Sequence, residues 1–344
     1  MPPKITLDSP DTRHDLVVIG ASAGGVETLK RVVADLPADL RATICVVLHI
    51  APGSPSALAR ILRRAGRLPC RPATDGEPLS LGEILVAPPD RHLVIEDGRV
   101  RLTIGPRENN HRPAVDALFR SAAIARGDRV IGIVLSGTRD DGTAGLAVIK
   151  AQGGLAIVQD PADATYPGMP ASALDHVAVD AVVPSGEIGR AIAAMVNGTD
   201  LPPGTDPQAR PADPSDPDLT TVICPECGGV LSERFEAGLV QWECRVGHRY
   251  SPETLVDAQA ERVEAALWTA IRALSDRSRL LHRMADRAGS RDQPRSARSF
   301  RRRAALAGDQ ADLVRKALTQ AAASTLRRVV DDKGELAGDE GTAA

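Results

Sequence analysis

DLVVIGASAGGVETL, residues 15–29, decides the fold. A short, β-branched run with no polar interruption reads as a strand of a parallel sheet buried on both faces. A turn of small residues follows it, and helical spacing then runs from Val26 to Leu36. Two more runs share this character. ATICVVL (42–48) ends at His49, and RVIGIVLSG (129–137) ends shortly before Asp140 and Asp141. In open α/β sheets, sites form outside the carboxyl ends of the strands. A hydroxyl (Ser22), an imidazole and a carboxylate are therefore expected on one edge of one sheet.

Working outward, EILVAP (83–88), LAIVQD (155–160) and AVDAVVP (178–184) read as further strands. HLVIEDGRVRLTI (92–104) alternates with period two around Asp97-Gly98, a hairpin signal. Helices are expected over 55–64, 115–125, 143–151 and 187–195. Strands alternating with helices give an α/β fold, a doubly wound parallel sheet spanning 15–196. Residues 1–14 read as a loose tail. Residues 197–221 are rich in Pro and Asp and nearly free of large apolar side chains, which makes them a semi-rigid linker. A Cys/His module (222–251), two helical stretches (252–287 and 296–330) and a disordered acidic tail (331–344) complete the chain. The linker is expected to insulate the first domain from the module.

The whole chain sets bounds. It has 344 residues, a formal net charge of −3, 43% apolar and 2% aromatic residues. The charge argues against nucleic acid as a partner, and the shortage of aromatics against sites that stack sugars or bases. No run approaches the roughly 20 apolar residues of a membrane span, and the N-terminus lacks the apolar core of a signal peptide. A cytoplasmic protein without membrane insertion is expected.

Gly20-Ala21-Ser22-Ala23-Gly24 fits G-x-S-x-G. That chemistry needs a tight strand-to-helix turn with small neighbours, so that a serine hydroxyl stands exposed and helix-start N–H groups face a developing oxyanion. Alone, the motif competes with phosphate-binding loops, but the spacing is not G-x-G-x-x-G. His49 ends the second apolar strand and is the favoured base, with His14, His92 and His111 as competitors. Asp141 is the favoured carboxylate, in LSGTRDDGTAG, and Asp160 is weaker. Asp140 or Asp141 could instead cap the helix at 143–151.

Cys224-x2-Cys227-x16-Cys244-x3-His248 has the spacing of a closed four-ligand site, so structural zinc is expected. Such a small, core-poor segment has little other reason to fold. The helices beyond it carry an apolar stripe at Val263, Leu267, Ile271, Leu274 and Leu281. Between 251 and 330 sixteen Lys/Arg face nine Asp/Glu. A self-packed helical hairpin is favoured. The alternative is a docking surface for a signalling partner at Arg298, Arg301, Arg302 and Arg303.

The stretch 15–196 resembles the catalytic domain of the bacterial chemotaxis protein-glutamate methylesterases. The segments that carry the likeness are VVIGASAGGVETL, VLHIAPG, APPDRHLVI, GPRENNHRPAVDALFRSAA, VLSGTRDDGTAGL and YPGMPASAL. The resemblance implies a triad of Ser22, His49 and Asp141, with the backbone N–H groups of Ala23 and Thr138 at the oxyanion. It implies hydrolysis of glutamate methyl esters, and deamidation of certain glutamines, on a chemoreceptor or related signalling protein, with no cofactor for catalysis. The Cys/His segment resembles a zinc ribbon appended to some stand-alone relatives. The family's usual L-T-G-M-G-x-D-G here reads L-S-G-T-R-D-D-G, with Thr138 and Arg139 for Met and Gly, and Ala23 replaces a usual Thr. Only about fourteen residues stand where the family usually has a receiver domain, so control by such a domain is expected to be absent or on another protein. The rival reading is a non-catalytic signalling adaptor that uses the same fold for docking.

Overall fold

The computed structural model describes residues 14–50, 56–198 and 222–335, with side chains to residue 319. Residues 1–13 of the expected tail, most of the 197–221 linker and residues 336–344 lie outside the described residues; His14 is buried rather than loose, and residues 331–335, expected to be disordered, continue the last helix. The chain divides into two compact units, Met1–Val256 and Asp257–Ala344.

The first unit is built on a seven-stranded sheet. Its strands are β1 (Leu16–Ala21), β2 (Thr43–Leu48), β3 (Cys70–Pro72), β4 (Glu83–Val86), β7 (Val130–Val134), β8 (Leu155–Gln159) and β9 (Ala181–Val183). They lie in the order β3-β4-β2-β1-β7-β8-β9, and every pairing is parallel. The chain leaves β1 for β2 on one side and later returns to place β7 on the other. The switch point thus falls at the carboxyl end of β1, where doubly wound sheets open a crevice.

Both faces are covered, which is why the strands read as unbroken apolar runs. Val17, Ile19, Ile44 and Val46 pack on α1 (Gly25–Ala34), α2 (Leu58–Ala65) and α6 (Ser185–Val196). Leu16, Val18, Cys45 and Val47 face α3 (Val115–Arg126), α4 (Thr143–Ala151) and α5 (Gly168–His176). Burial pushes the Cys45 thiol far up and the Cys70 thiol to about 11, so both behave as small core side chains. The expected hairpin forms as β5 (His92–Glu96) and β6 (Arg99–Thr103), with Asp97 and Gly98 both at positive φ.

Two elements escaped the sequence reading. Strand β3 has three residues ending in Pro72 at the sheet edge, too few for a period to register. Helix α5 has Pro170 in its first turn, which a helix tolerates there but which reads as a breaker.

The Cys/His segment forms a three-stranded antiparallel sheet of β10 (Leu231–Glu236), β11 (Leu239–Cys244) and β12 (Arg249–Tyr250). It belongs to the first unit and is not insulated from it. Arg120 of α3 bonds Glu236 at 2.9 Å, Thr254 donates to Asp140 at 2.8 Å, and Arg249 N–H donates to the Arg107 carbonyl at 3.3 Å. The linker sets the distance in sequence. Leu239 of β11 also packs against the apolar core beneath α3 and α4, and the remaining contacts come from charged and backbone groups that no hydropathy pattern reveals.

Two long helices follow: α7 (Pro252–Ser290), whose first residues belong to the first unit, and α8 (Pro294–Glu335) of the second unit. Ile271 and Leu281 of the expected stripe are buried, as are Ala297, Ala304, Ala307 and Ala311 of α8, while Val263 is exposed. Arg298, Arg301, Arg302 and Arg303 are exposed.

Gly20 sits mid-sheet, and a Cβ there would lie 2.2 Å from Val115 Cγ1. Its missing side chain lets the N-terminus of α3 press against the end of β1. Gly20→Ala should lower stability by about 1–3 kcal/mol, the usual cost of overpacking. Urea unfolding followed by circular dichroism should show it, with partial recovery in Gly20→Ala/Val115→Ala.

Candidate active site

Ser22 follows β1, and its N–H donates to the Ser136 carbonyl at 2.9 Å, extending the β1–β7 ladder by one bond. Gly24, at φ 74°, then turns the chain into α1. A Cβ at Gly24 would meet Ser136 Oγ at 2.8 Å. Ser136 Oγ donates to the Ala23 carbonyl at 2.8 Å and accepts from Tyr166 N–H at 3.0 Å, which fixes the turn from beneath. The sequence reading missed Ser136, which falls inside LSGTRDDG, because its part is a hydrogen bond to groups distant in sequence that no spacing reveals.

His49 lies one residue past β2. Its N–H donates to the Ala21 carbonyl, so the His49 and Ser22 side chains are neighbours by register. Nδ1 lies 3.1 Å from Ser22 Oγ, and Nε2 lies 2.7 Å from Asp141 Oδ2. The side chains of His49 and Asp141 are only 5% and 2% exposed. An ionised carboxylate accepts only, so Nε2 carries the proton and Nδ1 offers its lone pair to the serine hydroxyl.

Asp141 accepts four hydrogen bonds. Oδ2 takes His49 Nε2–H and Val115 N–H, both at 2.7 Å. Oδ1 takes Asp116 N–H and Asn109 Nδ2–H, both at 3.1 Å. Burial opposes its charge, but the His49 hydrogen bond and charge, with help from Val115 N–H, hold the carboxyl well below the usual range. The alternative capping role is therefore corrected. Asp141 caps α3, whose first two N–H groups it receives, and not α4. Residue Gly142, at φ 104°, occupies the N-cap of α4. Asp116 of α3 fills the gap in return, accepting from Gly142 N–H at 3.0 Å and from Gly145 N–H. Burial, then the charge of Asp141, raises the Asp116 carboxyl well above its ordinary value. Asp140 goes to Thr254, and burial raises its carboxyl as well.

The competing residues lie elsewhere or serve otherwise. His14 Nδ1 bonds the Asp128 carbonyl at 3.0 Å, at the amino end of the sheet. His92 is tied to the Pro106 carbonyl and to Ala114 N–H. Asp160 closes a local turn through Ala162 N–H. His111 does reach the site, its ring stacked on His49 at 3.6 Å between centroids and 11° between planes. Burial, then the neighbouring His49, lowers its pKa to about 4, so it presents a neutral face at ordinary pH.

Among the described residues no acceptor takes the backbone N–H of Ala23 or of Thr138. Arg139 adopts φ 64°, a left-handed conformation that explains why the usual motif has Gly there.

In the Cys/His segment, Cys224, Cys227, Cys244 and His248 bring their ligand atoms within 4.8 Å of one another. Cys227 Sγ–Cys244 Sγ is 3.6 Å, Cys244 Sγ–His248 Nδ1 is 3.4 Å and Cys224 Sγ–His248 Nδ1 is 3.8 Å. A tetrahedron with metal–sulfur bonds of about 2.3 Å and metal–nitrogen bonds of about 2.0 Å has edges of roughly 3.5–3.8 Å. The other ring nitrogen of His248 lies 3.7 Å from Glu226, the carboxylate partner that orients metal-bound histidines.

The fold and this arrangement define a doubly wound α/β protein with a serine–histidine–aspartate relay of the hydrolase type at its switch point. The chain belongs to the CheB methylesterase family, whose model matches residues 17–192. An Anaeromyxobacter dehalogenans relative named protein-glutamate methylesterase/protein-glutamine glutaminase 2 is 45% identical over 180 residues, covering 52% of this chain and 53% of its own. A Xanthomonas oryzae relative of the same name is 38% identical over 208 residues, 56% of this chain and 58% of its own. The chain thus spans little more than half the length of these relatives. A shorter Leptospira interrogans relative is 39% identical over 171 residues and is covered over 89% of its length. The crystal structure of the Thermotoga maritima CheB methylesterase catalytic domain is similar with a TM-score of 0.51 and 34% identity, covering 53% of this chain and 99% of that one.

The depressed pKa of His111 has a thermodynamic consequence. Below about 6.5 the unfolded chain binds a proton that the folded chain refuses until about pH 4, so stability falls as pH drops through that window. His92, also lowered by burial, adds to the effect. The melting temperature should decline between pH 6.5 and 4, and His111→Phe should make that decline shallower.

Proposed function

We propose that this chain is a serine hydrolase that removes methyl esters from glutamate side chains of a chemoreceptor or related signalling protein, with glutamine deamidation as the companion reaction. The observation that carries the reading is the unbroken relay from Ser22 Oγ through His49 to Asp141 in a member of this family. Ser22 Oγ attacks the ester carbonyl as its proton passes to His49 Nδ1. Asp141 keeps the Nε2 proton and stabilises the imidazolium. The N–H groups of Ala23 and Thr138 hold the tetrahedral oxyanion. His49 then returns the proton to the departing methoxide and methanol leaves. Water, deprotonated by His49, releases the glutamate acid from the acyl-enzyme and restores Ser22. With a glutamine substrate the leaving group is ammonia. No helix among the described residues is long and apolar enough to cross a membrane. A substrate on the cytoplasmic helices of a receptor places the reaction in the cytoplasm.

Cys224, Cys227, Cys244 and His248 are proposed to hold one structural zinc. Support comes from their spacing and from backbone N–H groups of Cys227 and Glu226 that face the Cys224 sulfur. Four protein ligands leave no open position, so the metal would brace the fold and take no part in the chemistry.

Ser22→Ala and His49→Ala should each lower methanol release from a methylated receptor fragment by roughly 10⁴-fold or more, and the double variant should lose little beyond either single change. Comparable turnover by Ser22→Ala would overturn the mechanism. Elemental analysis should return about one zinc per chain, since there is a single four-ligand set, and Cys224→Ser should lose it.

A further inference from the structure

Asn109 lies between β6 and α3 at φ 50°, a left-handed conformation that asparagine tolerates, and is 2% exposed. Its polar atoms are occupied on two sides. The backbone N–H donates to the Arg249 carbonyl at 2.9 Å, and Oδ1 accepts from Ser251 N–H at 3.0 Å. The two Nδ2 hydrogens go to Asp116 Oδ2 at 2.8 Å and Asp141 Oδ1 at 3.1 Å. An amide with one N–H donor on its oxygen side and two carboxylates on its nitrogen side has a single workable orientation.

Arg249 and Ser251 flank Tyr250, a fully buried side chain whose hydroxyl lies 3.6 Å from Cys224 Sγ. One side chain therefore joins the Cys/His module to the carboxylate that holds His49. We infer that Asn109 is a positioning residue for the ester hydrolysis proposed above, and that the Cys/His module is the brace that sets it. The inference rests on the reading of Ser22, His49 and Asp141 as the reacting relay.

The physical reason is local. Asp116 and Asp141 are buried carboxyl groups that share the Asn109 amide between them. Removing that amide leaves Oδ1 of Asp141 with one donor, Asp116 N–H, and removes what separates the two carboxyls. Asp141 can then turn about its side-chain bonds, and the Nε2 contact that orients His49 loosens. Asn109, Asp116 and Asp141 are almost fully buried, so substrate binding should be spared.

Asn109→Gly removes the side chain yet keeps the positive φ at no steric cost. It should lower kcat by about 10–100-fold, the usual penalty for losing a partner that orients a reacting group, with KM within about twofold. Asn109→Asp keeps shape, φ and the acceptor for Ser251, but turns a carboxylate toward two others. Positioning predicts that kcat falls while KM holds in folded protein, whereas a purely structural role predicts less folded protein with kcat per folded molecule unchanged. In the full-length wild type, stripping the metal should speed amide exchange in 107–116 while β1 and β7 stay protected. It should lower kcat, and should lower it little further in Asn109→Gly. Wild-type kcat in Asn109→Gly, or unchanged exchange in 107–116 after chelation, would overturn the inference. If Ser22→Ala is dead while Asn109→Gly is fully active, the hydrolase reading stands and only this inference falls. Should Ser22→Ala remain active, the hydrolase reading falls first.

Discussion

A buried carboxylate must be paired or it costs several kcal/mol, and Asp141 is paired by the start of a helix. The first N–H groups of α3 have no partners within the helix and carry the positive end of its dipole. Asp141 satisfies two of them and keeps its charge deep in the protein. Asp116, from that same helix, does the equivalent for α4. Each helix start thus depends on an acid delivered by the neighbouring segment. The loop after β7, the N-termini of α3 and α4 and the relay form one cooperative unit. Gly20 is part of it, since only a residue without a side chain lets α3 come close enough to donate.

Much of the fold was legible because parallel strands buried on both faces announce themselves as apolar runs, and because Ser22 and His49 follow such runs directly and Asp141 a few residues later. DLVVIG, ATICVVL and RVIGIVLSG each delivered a residue to the same edge. Weaker signals failed for physical reasons. Three residues of β3 cannot show a period, and Pro170 disguised the opening of α5. Within the site, Ser22, His49 and Asp141 sit in motif-like surroundings. Ser136, Asp116 and Asn109 lie within segments that carry the family likeness, yet nothing there singles them out, since what they contribute is a hydrogen bond to a group distant in sequence. A capping reading of Asp141 was right about the kind of bond and wrong about the helix. Sequence proximity favoured α4, but the Gly142 turn aims the carboxylate at α3.

The small module shows the limit of composition as a guide to independence. A Pro-rich linker suggests separate bodies. Yet the Cys/His sheet shares a backbone bridge between Glu108 and Arg249 with the catalytic-type domain, and an ion pair cluster of Arg120, Glu108 and Glu236. Isolated surface ion pairs contribute little, but Arg120 is largely buried and its two carboxylates come from β10 (Glu236) and from the segment between β6 and α3 (Glu108). Moving either side of such a seam breaks several directional bonds together.

The ring of His49 faces the serine with Nδ1 and the aspartate with Nε2. Nδ1 lies close to the backbone and Nε2 far from it. Any swing about the Cα–Cβ bond carries the far nitrogen through a longer arc than the near one. A restraint on Nε2 therefore damps the motion of Nδ1 with mechanical advantage, as a door is held more steadily at its handle than at its hinge. The fold spends four donors on the carboxylate at the handle and leaves the serine at the hinge side with a single contact. In the proposed relay, the alignment of Ser22 is thereby set through His49 from the Asp141 side.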